Sequence, residues 1–294
     1  MLIARLIAEP DTLSASLEAA TAQMEAGGVR VATAAMLEFC GQTLQIGSPD
    51  SDAQEMRAAI EAHFAPCDAL IAQDEPQVPH VFVSDMDSTM IGQECIDELA
   101  DFAGIKPQIA AITERAMRGE LDFISALKER VGLLAGIDER AIRQCLDERI
   151  TPVDGARALV ATLKSRGCHT VLVTGGFHHF ADPVAEMLGF DAVVANRLEI
   201  AGGKLTGGLI GPIVDSAVKK ATLVGEMAKL GEGAISLATG DGANDIPMLE
   251  AASYGIAYRA KPVARDAANG WIDRGDLTSV LRLLGIDEKE WVRG

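Results

Sequence analysis

Residues 81–89 read Val81-Phe82-Val83-Ser84-Asp85-Met86-Asp87-Ser88-Thr89. An unbroken apolar run rich in valine suits a strand buried on both faces. This one ends in two carboxylates spaced by one residue. A similar pattern occurs twice more. Val171-Leu172-Val173 leads into Thr174-Gly175-Gly176-Phe177, and Ala234 to Ala238 leads into Gly240-Asp241-Gly242-Ala243-Asn244-Asp245. Helical stretches separate these runs, with Asp182 to Leu188 and Lys219 to Leu230 the clearest, and Ile256-Ala257 supplies a further strand. Alternating strands and helices predict an α/β fold whose parallel sheet is covered on both faces. In such a sheet ligands bind beyond the carboxyl ends of the strands. The three polar clusters are therefore expected to converge on one site.

Downstream of Asp87 the period changes. Ile96, Leu99, Ala100 and Ala103 recur at helical spacing, as do Phe123, Leu127, Val131 and Leu134. Gly104, Gly119 and Gly136 divide residues 94–149 into four helices. This block is an insertion after the first strand, placed to cover the site. After Ala192 to Ala195, a hairpin is expected around Gly202-Gly203, with Leu198 to Ile200 and Leu205-Thr206 as its arms.

Upstream, residues 2–8 read as a strand, and Asp11 or Thr12 caps a helix running to about Ala26. Val29 to Phe39 and Thr43 to Ile46 read as strands separated by Gly41. Asp50 or Ser51 starts a second helix, and Ala69 to Ala72 is a last strand. The order β-α-β-β-α-β predicts a ferredoxin-like α+β layer. The polar, proline-bearing stretch Gln73 to His80 reads as a linker. The expected division is a domain at 1–74 and a second at 80–294, with the helical block at about 94–150.

The 294 residues are 48% hydrophobic and 23% charged, with a formal net charge of −17. That charge repels nucleic-acid phosphates and anionic lipid, so neither is expected as a partner. A small anion remains admissible where donors and a metal invert the local field. The five cysteines, Cys40, Cys67, Cys95, Cys145 and Cys168, include no CxxC pair. This argues against a disulfide framework or a zinc site and for a reducing compartment. His178 and His179 adjoin with no thiolate pair nearby, so they are read as surface or loop-supporting residues. No secretory signal and no run of transmembrane length is legible, which makes a cytoplasmic protein the expectation.

The chemistry follows from the residue types. Asp85 and Asp87 repel one another unless a cation or proton intervenes. Carboxylate and carbonyl oxygens completed by water and phosphate suit Mg²⁺. Phosphate monoesters hydrolyse extremely slowly unaided, and a carboxylate splits the reaction in two through an aspartyl-phosphate. The metal and Lys219 would neutralise the anionic centre. Asp87 is placed to protonate the leaving alkoxide and then to activate water. The hydroxyl of Thr174 and the glycine backbone after it can cradle phosphoryl oxygens.

At this point four stretches, DMDSTMI, TGGF, the lysine of AVKKATL and GDGANDIPM, resemble the four motifs of haloacid dehalogenase-type phosphatases, over about residues 80–285. The resemblance implies a Rossmann-like parallel sheet with a helical cap after its first strand. It implies Asp85 as nucleophile, Asp87 as acid and base, and a metal held by Asp85, the Asp87 carbonyl and Asp241. It directs Thr174, Gly175, Lys219 and Asn244 toward phosphate, with Asp245 in support. Mutases and transport ATPases share this core, so the core alone does not choose a substrate.

The stretch from Asp87 to Glu94 and the helical block resemble the phosphoserine phosphatases among these enzymes. The resemblance implies that Glu94 receives the substrate ammonium, that Arg130 pairs with its carboxylate, and that Met117 and Phe123 line the cover. The implied activity is hydrolysis of O-phosphoserine to serine and phosphate, the last step of serine synthesis. Phosphatase or phosphotransferase action on another small metabolite, and an amino-acid-sensing protein with an idle phosphatase half, are the alternatives. The family usually has serine at the position of Thr174, so the fit around the phosphate is open to change. By pattern the first domain resembles amino-acid-sensing ACT domains, which often pair, so a homodimer is an expectation.

Overall fold

The computed structural model describes residues 1–50, 52–118 and 120–293, apart from the side chain of Met117. Ser51 and Gly119, expected as a helix cap and a helix break, thus lie outside the described residues. The chain begins with β1 (Leu2–Ile7), α1 (Leu13–Ala26), β2 (Thr33–Leu37), β3 (Thr43–Ser48), α2 (Ala53–Phe64) and β4 (Asp68–Ala72). Asp52 starts α2, its side chain accepting from the N–H groups of Gln54 and Glu55, which satisfies two donors that have no partner within the helix.

β5 (Val81–Ser84) follows, then the four inserted helices α3 (Cys95–Phe102), α4 (Lys106–Met117), α5 (Phe123–Leu133) and α6 (Arg140–Arg149). The chain continues through α7 (Ala156–Ser165), β6 (His169–Phe177), α8 (His178–Leu188) and the hairpin of β7 (Ala192–Ala201) with β8 (Lys204–Ile210). It closes with α9 (Ser216–Leu230), β9 (Ser236–Gly240), α10 (Ile246–Ala251), β10 (Tyr254–Tyr258), α11 (Pro262–Ala267), β11 (Gly270–Ile272) and α12 (Thr278–Leu283).

Eleven strands form one sheet in the order β2-β3-β1-β4-β11-β10-β9-β5-β6-β7-β8. From β11 to β7 all neighbours are parallel. The strands of the N-terminal part are antiparallel, and so is the β7–β8 pair, which makes the sheet mixed. The chain enters the parallel part at β5, builds β6 and β7 to one side, then returns to build β9, β10 and β11 on the other. β5 and β9 therefore flank the switch point where the order reverses, the place such sheets use for ligands.

Alternation along the strands fills two cores. Phe82, Leu172, Leu237 and Ile256 face one layer, while Val83, Val171, Val173 and Ala238 face the other. The second core also holds Leu2, Ala4, Leu6 and Met56, so the N-terminal part packs continuously with the rest. The seam is β4 against β11, an antiparallel pair. Asp68, 1% exposed, accepts from the N–H groups of Asp273, Arg274 and Gly275 and from Ser279 Oγ at 2.7 Å. Four donors compensate its desolvation. Residues 73–80, expected as a linker, lie along this seam. There Glu75 pairs with the buried Arg5 at 3.0 Å, and the Gln77 N–H donates to the Tyr254 hydroxyl.

Candidate active site

The N–H of Asp85 donates to Thr239 O at 2.9 Å, so the residue just past β5 is anchored to β9. Beneath it a buried hydroxyl chain runs from Thr239 Oγ1 to Ser84 Oγ to Asp85 O, each step 2.7 Å. This register sets Asp85 beside the Gly240-Asp241 turn. The Asp85 carboxylate accepts from Met86 N–H at 2.7 Å through Oδ1 and from Lys219 Nζ at 2.8 Å through Oδ2.

Lys219 projects from the first turn of α9, whose start is capped by Asp215. It is 1% exposed and holds a second acid, Asp245, at 2.7 Å. Burial alone would lower its pKa, but the carboxylates of Asp85 and Asp245 raise it well above the ordinary lysine value. The ammonium is thus a fixed cation. Asp245 spends its other oxygen on the N–H groups of Asp241 and Gly242, at 3.2 and 3.1 Å. Both its oxygens are committed, which suits a supporting role. Gly240 makes room for it, since a Cβ there would fall 2.4 Å from Asp245 Cγ.

Carboxylate oxygens of Asp85, Asp241 and Asp245 lie within 4.8 Å of one another. Burial first, then the charge of Asp245, pushes Asp85 well above the carboxylate range and Asp241 up to about 6. Three acids around one buried ammonium favour either protonation or a bound cation, and a divalent cation would balance the excess negative charge. Asp245 receives three donors on its two oxygens, whereas each Asp85 oxygen receives one and keeps a lone pair. Asp85 and Asp241 are therefore the carboxylates able to hold such an ion, an oxygen-rich set that suits a hard cation.

Asp87 is half-buried on the loop after β5. Its Oδ1 accepts from the Cys95 N–H at 3.2 Å, at the start of α3. Burial, then the charge of Glu94, pushes it up to about 7. Across the cavity Thr174, 1% exposed, lies three residues before the end of β6, where the pairing with β7 becomes irregular, and accepts the Gly176 N–H at 2.8 Å. A Cβ on Gly176 would come within 3.1 Å of Asp87 Oδ2, and one on Gly175 within 3.2 Å of Phe123 Cζ. The two glycines thus let the acid and the cap approach the strand end.

The cap supplies the far wall. Glu94, at the start of α3, accepts from Ser88 Oγ at 2.8 Å. Ser88 adopts a φ of 53°, which turns the loop back on itself. Arg130, on α5, donates within its own helix to Ala126 O at 3.4 Å and makes no ion pair among the described residues. Burial lowers its pKa, with Asp97, Glu94 and Asp87 opposing.

The structure brings Asp85, Asp87, Glu94, Phe123, Arg130, Thr174, Gly175, Asp241 and Asn244 around one cavity of about 210 Å³. Lys219 and Asp245 lie behind Asp85. The side chain of Met117 lies outside the described residues. The sequence reading missed Lys261, which lines the cavity just beyond β10, and the apolar Ile96, Leu127 and Phe177. It also missed Asn196, 2% exposed, which donates to Gly175 O and accepts from Val214 N–H, both at 2.8 Å. Lys261 had a legible signal: it follows a strand end, as the three polar clusters do.

Comparison with known proteins bears on this arrangement. Residues 82–250 match the haloacid dehalogenase-like hydrolases. A phosphoserine phosphatase of Albidiferax ferrireducens is 45% identical over 205 residues, covering 68% of this chain and 86% of that protein. One of Streptomyces coelicolor is 46% identical over 211 residues, covering 71% of this chain and 51% of that longer protein. The crystal structure of a HAD family hydrolase of Salmonella enterica serovar Typhi superposes with a TM-score of 0.82 at 30% identity. That match covers 97% of this chain and 99% of the other, the N-terminal part included.

Proposed function

Starting from the fact that this chain belongs to the haloacid dehalogenase-like hydrolase family, we propose that it is a phosphoserine phosphatase working through Asp85. The observation that carries the substrate is the pairing of charges in the cavity. Glu94 offers an anion, Arg130 a guanidinium with no acid bonded to it among the described residues, and the Asp85–Lys219 floor a place for phosphate. Ammonium, carboxylate and phosphoryl group are the three charged parts of O-phosphoserine. An arginine fork suits the carboxylate, being planar and bidentate.

In the first step an Asp85 carboxylate oxygen attacks phosphorus, and the bond from phosphorus to the serine oxygen breaks. Asp87, its pKa near 7, gives that oxygen its proton. In the second step water attacks the phosphoryl group, Asp87 takes the proton released, and the bond to Asp85 breaks. Phosphate leaves and the Asp85 carboxylate is restored. Lys219 keeps Asp85 oriented and adds a fixed positive charge where anions meet. Thr174 and Gly175 receive phosphoryl oxygens, and Phe123 closes over Gly175 to exclude water. A divalent cation held by Asp85, Asp241 and the Asp87 carbonyl would supply further charge neutralisation, and magnesium suits that oxygen set.

Phosphate release from a panel of phosphorylated metabolites, with magnesium and with chelator, tests this reading. Preferential turnover of O-phosphoserine that chelator abolishes is expected. Release from sugar phosphates with none from O-phosphoserine would overturn it.

A further inference from the structure

Lys261 lies on the loop between β10 and α11. Two residues before it, Arg259 takes a φ of 43°. A side-chain-bearing residue in that region costs roughly 1–2 kcal/mol, and here its N–H is tied to Ile272 O at 2.9 Å. The bend carries Lys261 against the Asp241 turn. Its N–H donates to Asp241 O at 2.9 Å, and its ammonium stands 3.9 Å from Asp241 Oδ2. That distance is long for a direct hydrogen bond, so the ammonium leans on the carboxylate without being locked to it. The contrast with Lys219 is sharp. Lys219 is 1% exposed and gripped by two acids, while the Lys261 side chain is 63% exposed and meets Asp241 only at long range. Among the described residues lining the cavity, Lys261 and Arg130 are the lysines and arginines, and Arg130 belongs to the cap wall.

We infer that Lys261 is a phosphate-binding residue that Asp241 holds in waiting. The inference rests on the phosphatase reading above. Without a metal, the ammonium is drawn to the Asp241 carboxylate. When a divalent cation takes that carboxylate, the ammonium is repelled and turns to an oxygen of the phosphoryl group. Lys261 thus opposes cation binding in the empty site and favours phosphate binding in the loaded one. The coupling is reciprocal: phosphate that engages Lys261 draws it from Asp241 and tightens the hold on the cation.

Two titrations by calorimetry test this, on the full chain and on Lys261→Met and Lys261→Arg. The first adds magnesium to protein freed of metal and phosphate. The second adds inorganic phosphate at saturating magnesium. Lys261→Met is expected to bind magnesium about three- to tenfold more tightly, the effect of removing one partly screened like charge nearby. It is expected to bind phosphate about tenfold more weakly, the loss of one charge-assisted hydrogen bond. Lys261→Arg keeps the charge and is expected to stay near the wild-type values in both. Matching melting curves establish that the variants fold. The inference is overturned if either affinity of Lys261→Met stays at the wild-type value, if its magnesium binding weakens, or if Lys261→Arg reproduces the same shifts. A wild-type protein that left O-phosphoserine intact would undo the substrate assignment, while these titrations would still decide the role of Lys261.

Discussion

Replacing Lys219 with methionine removes the one buried cation between Asp85 and Asp245, which it holds at 2.8 and 2.7 Å. Methionine fills similar volume, so packing is largely kept and the charge is what changes. Two buried carboxylates then face one another uncompensated. Breaking a buried pair costs about 3–5 kcal/mol. Uptake of a proton by one acid limits the cost to that range. At about 2.1 cal/mol/K of unfolding entropy per residue, each kcal/mol shifts the melting temperature of this 294-residue chain by roughly 1.6 °C, so a fall of about 5–8 °C is expected. The scan is run in chelator, so that no added cation replaces the missing charge. Turnover with magnesium should fall by about 10²–10³, the effect of losing one preorganised charge at the reacting centre. A second variant separates the effects. Lys219→Met combined with Asp245→Asn keeps an oxygen for the Asp241 and Gly242 N–H groups but removes one buried charge. It should recover much of the lost melting temperature and little of the turnover. If Lys219→Met melts like the wild type, or if the double variant melts no higher than the single one, the charge account of this floor is wrong.

Arg130→Ala should raise KM for O-phosphoserine about ten- to a hundredfold, the loss of hydrogen bonds to a charged group. It should leave O-phosphoethanolamine, which has no carboxylate, unaffected; equal losses on both would show that Arg130 does not read the carboxylate. Gly240→Ala puts a Cβ 2.4 Å from Asp245 Cγ. About 1–3 kcal/mol of stability should go with it, along with turnover, and an unchanged denaturant midpoint would contradict the packing described. Thr174→Ser keeps the hydroxyl that receives the Gly176 N–H. It should lose about 1 kcal/mol or less, the worth of one buried methyl group, with steady-state kinetics close to wild type; a collapse of turnover would show that the methyl group positions the phosphate.

Much of the site was legible because its residues sit where strands end, and strand ends can be read from short apolar runs. Val81 to Val83 and Val171 to Val173 announce buried strands, and polar residues at their exits stand out. The cap was legible for a similar reason, since its apolar residues keep a helical period between glycines. The fusion of the sheet was not. β4 meets β11 across some two hundred residues of chain, and nothing local in Asp68 to Ala72 states which edge it will join. The strand read from Val29 to Phe39 narrows to Thr33–Leu37, because Glu38–Cys40 form a 3₁₀ turn into Gly41 at φ 65°. A composition rich in β-branched and apolar residues does not mark where a chain turns. α8 starts at His178, ahead of the expected Asp182, with Pro183 inside it. Lys261 is harder to single out because Tyr258, Arg259 and Ala260 separate it from the strand read at Ile256-Ala257, whereas the three polar clusters begin close to their strand ends.

During turnover Asp85 is expected to carry the phosphoryl group. Rapid acid quench of the protein turning over O-phosphoserine with magnesium, followed by peptide mass analysis, tests it most directly. A phosphoryl increment on the peptide containing Asp85, absent from Asp85→Asn, is the predicted result. A turning-over enzyme whose phosphoryl group sits on another residue, or an Asp85→Asn variant with undiminished turnover, would contradict it.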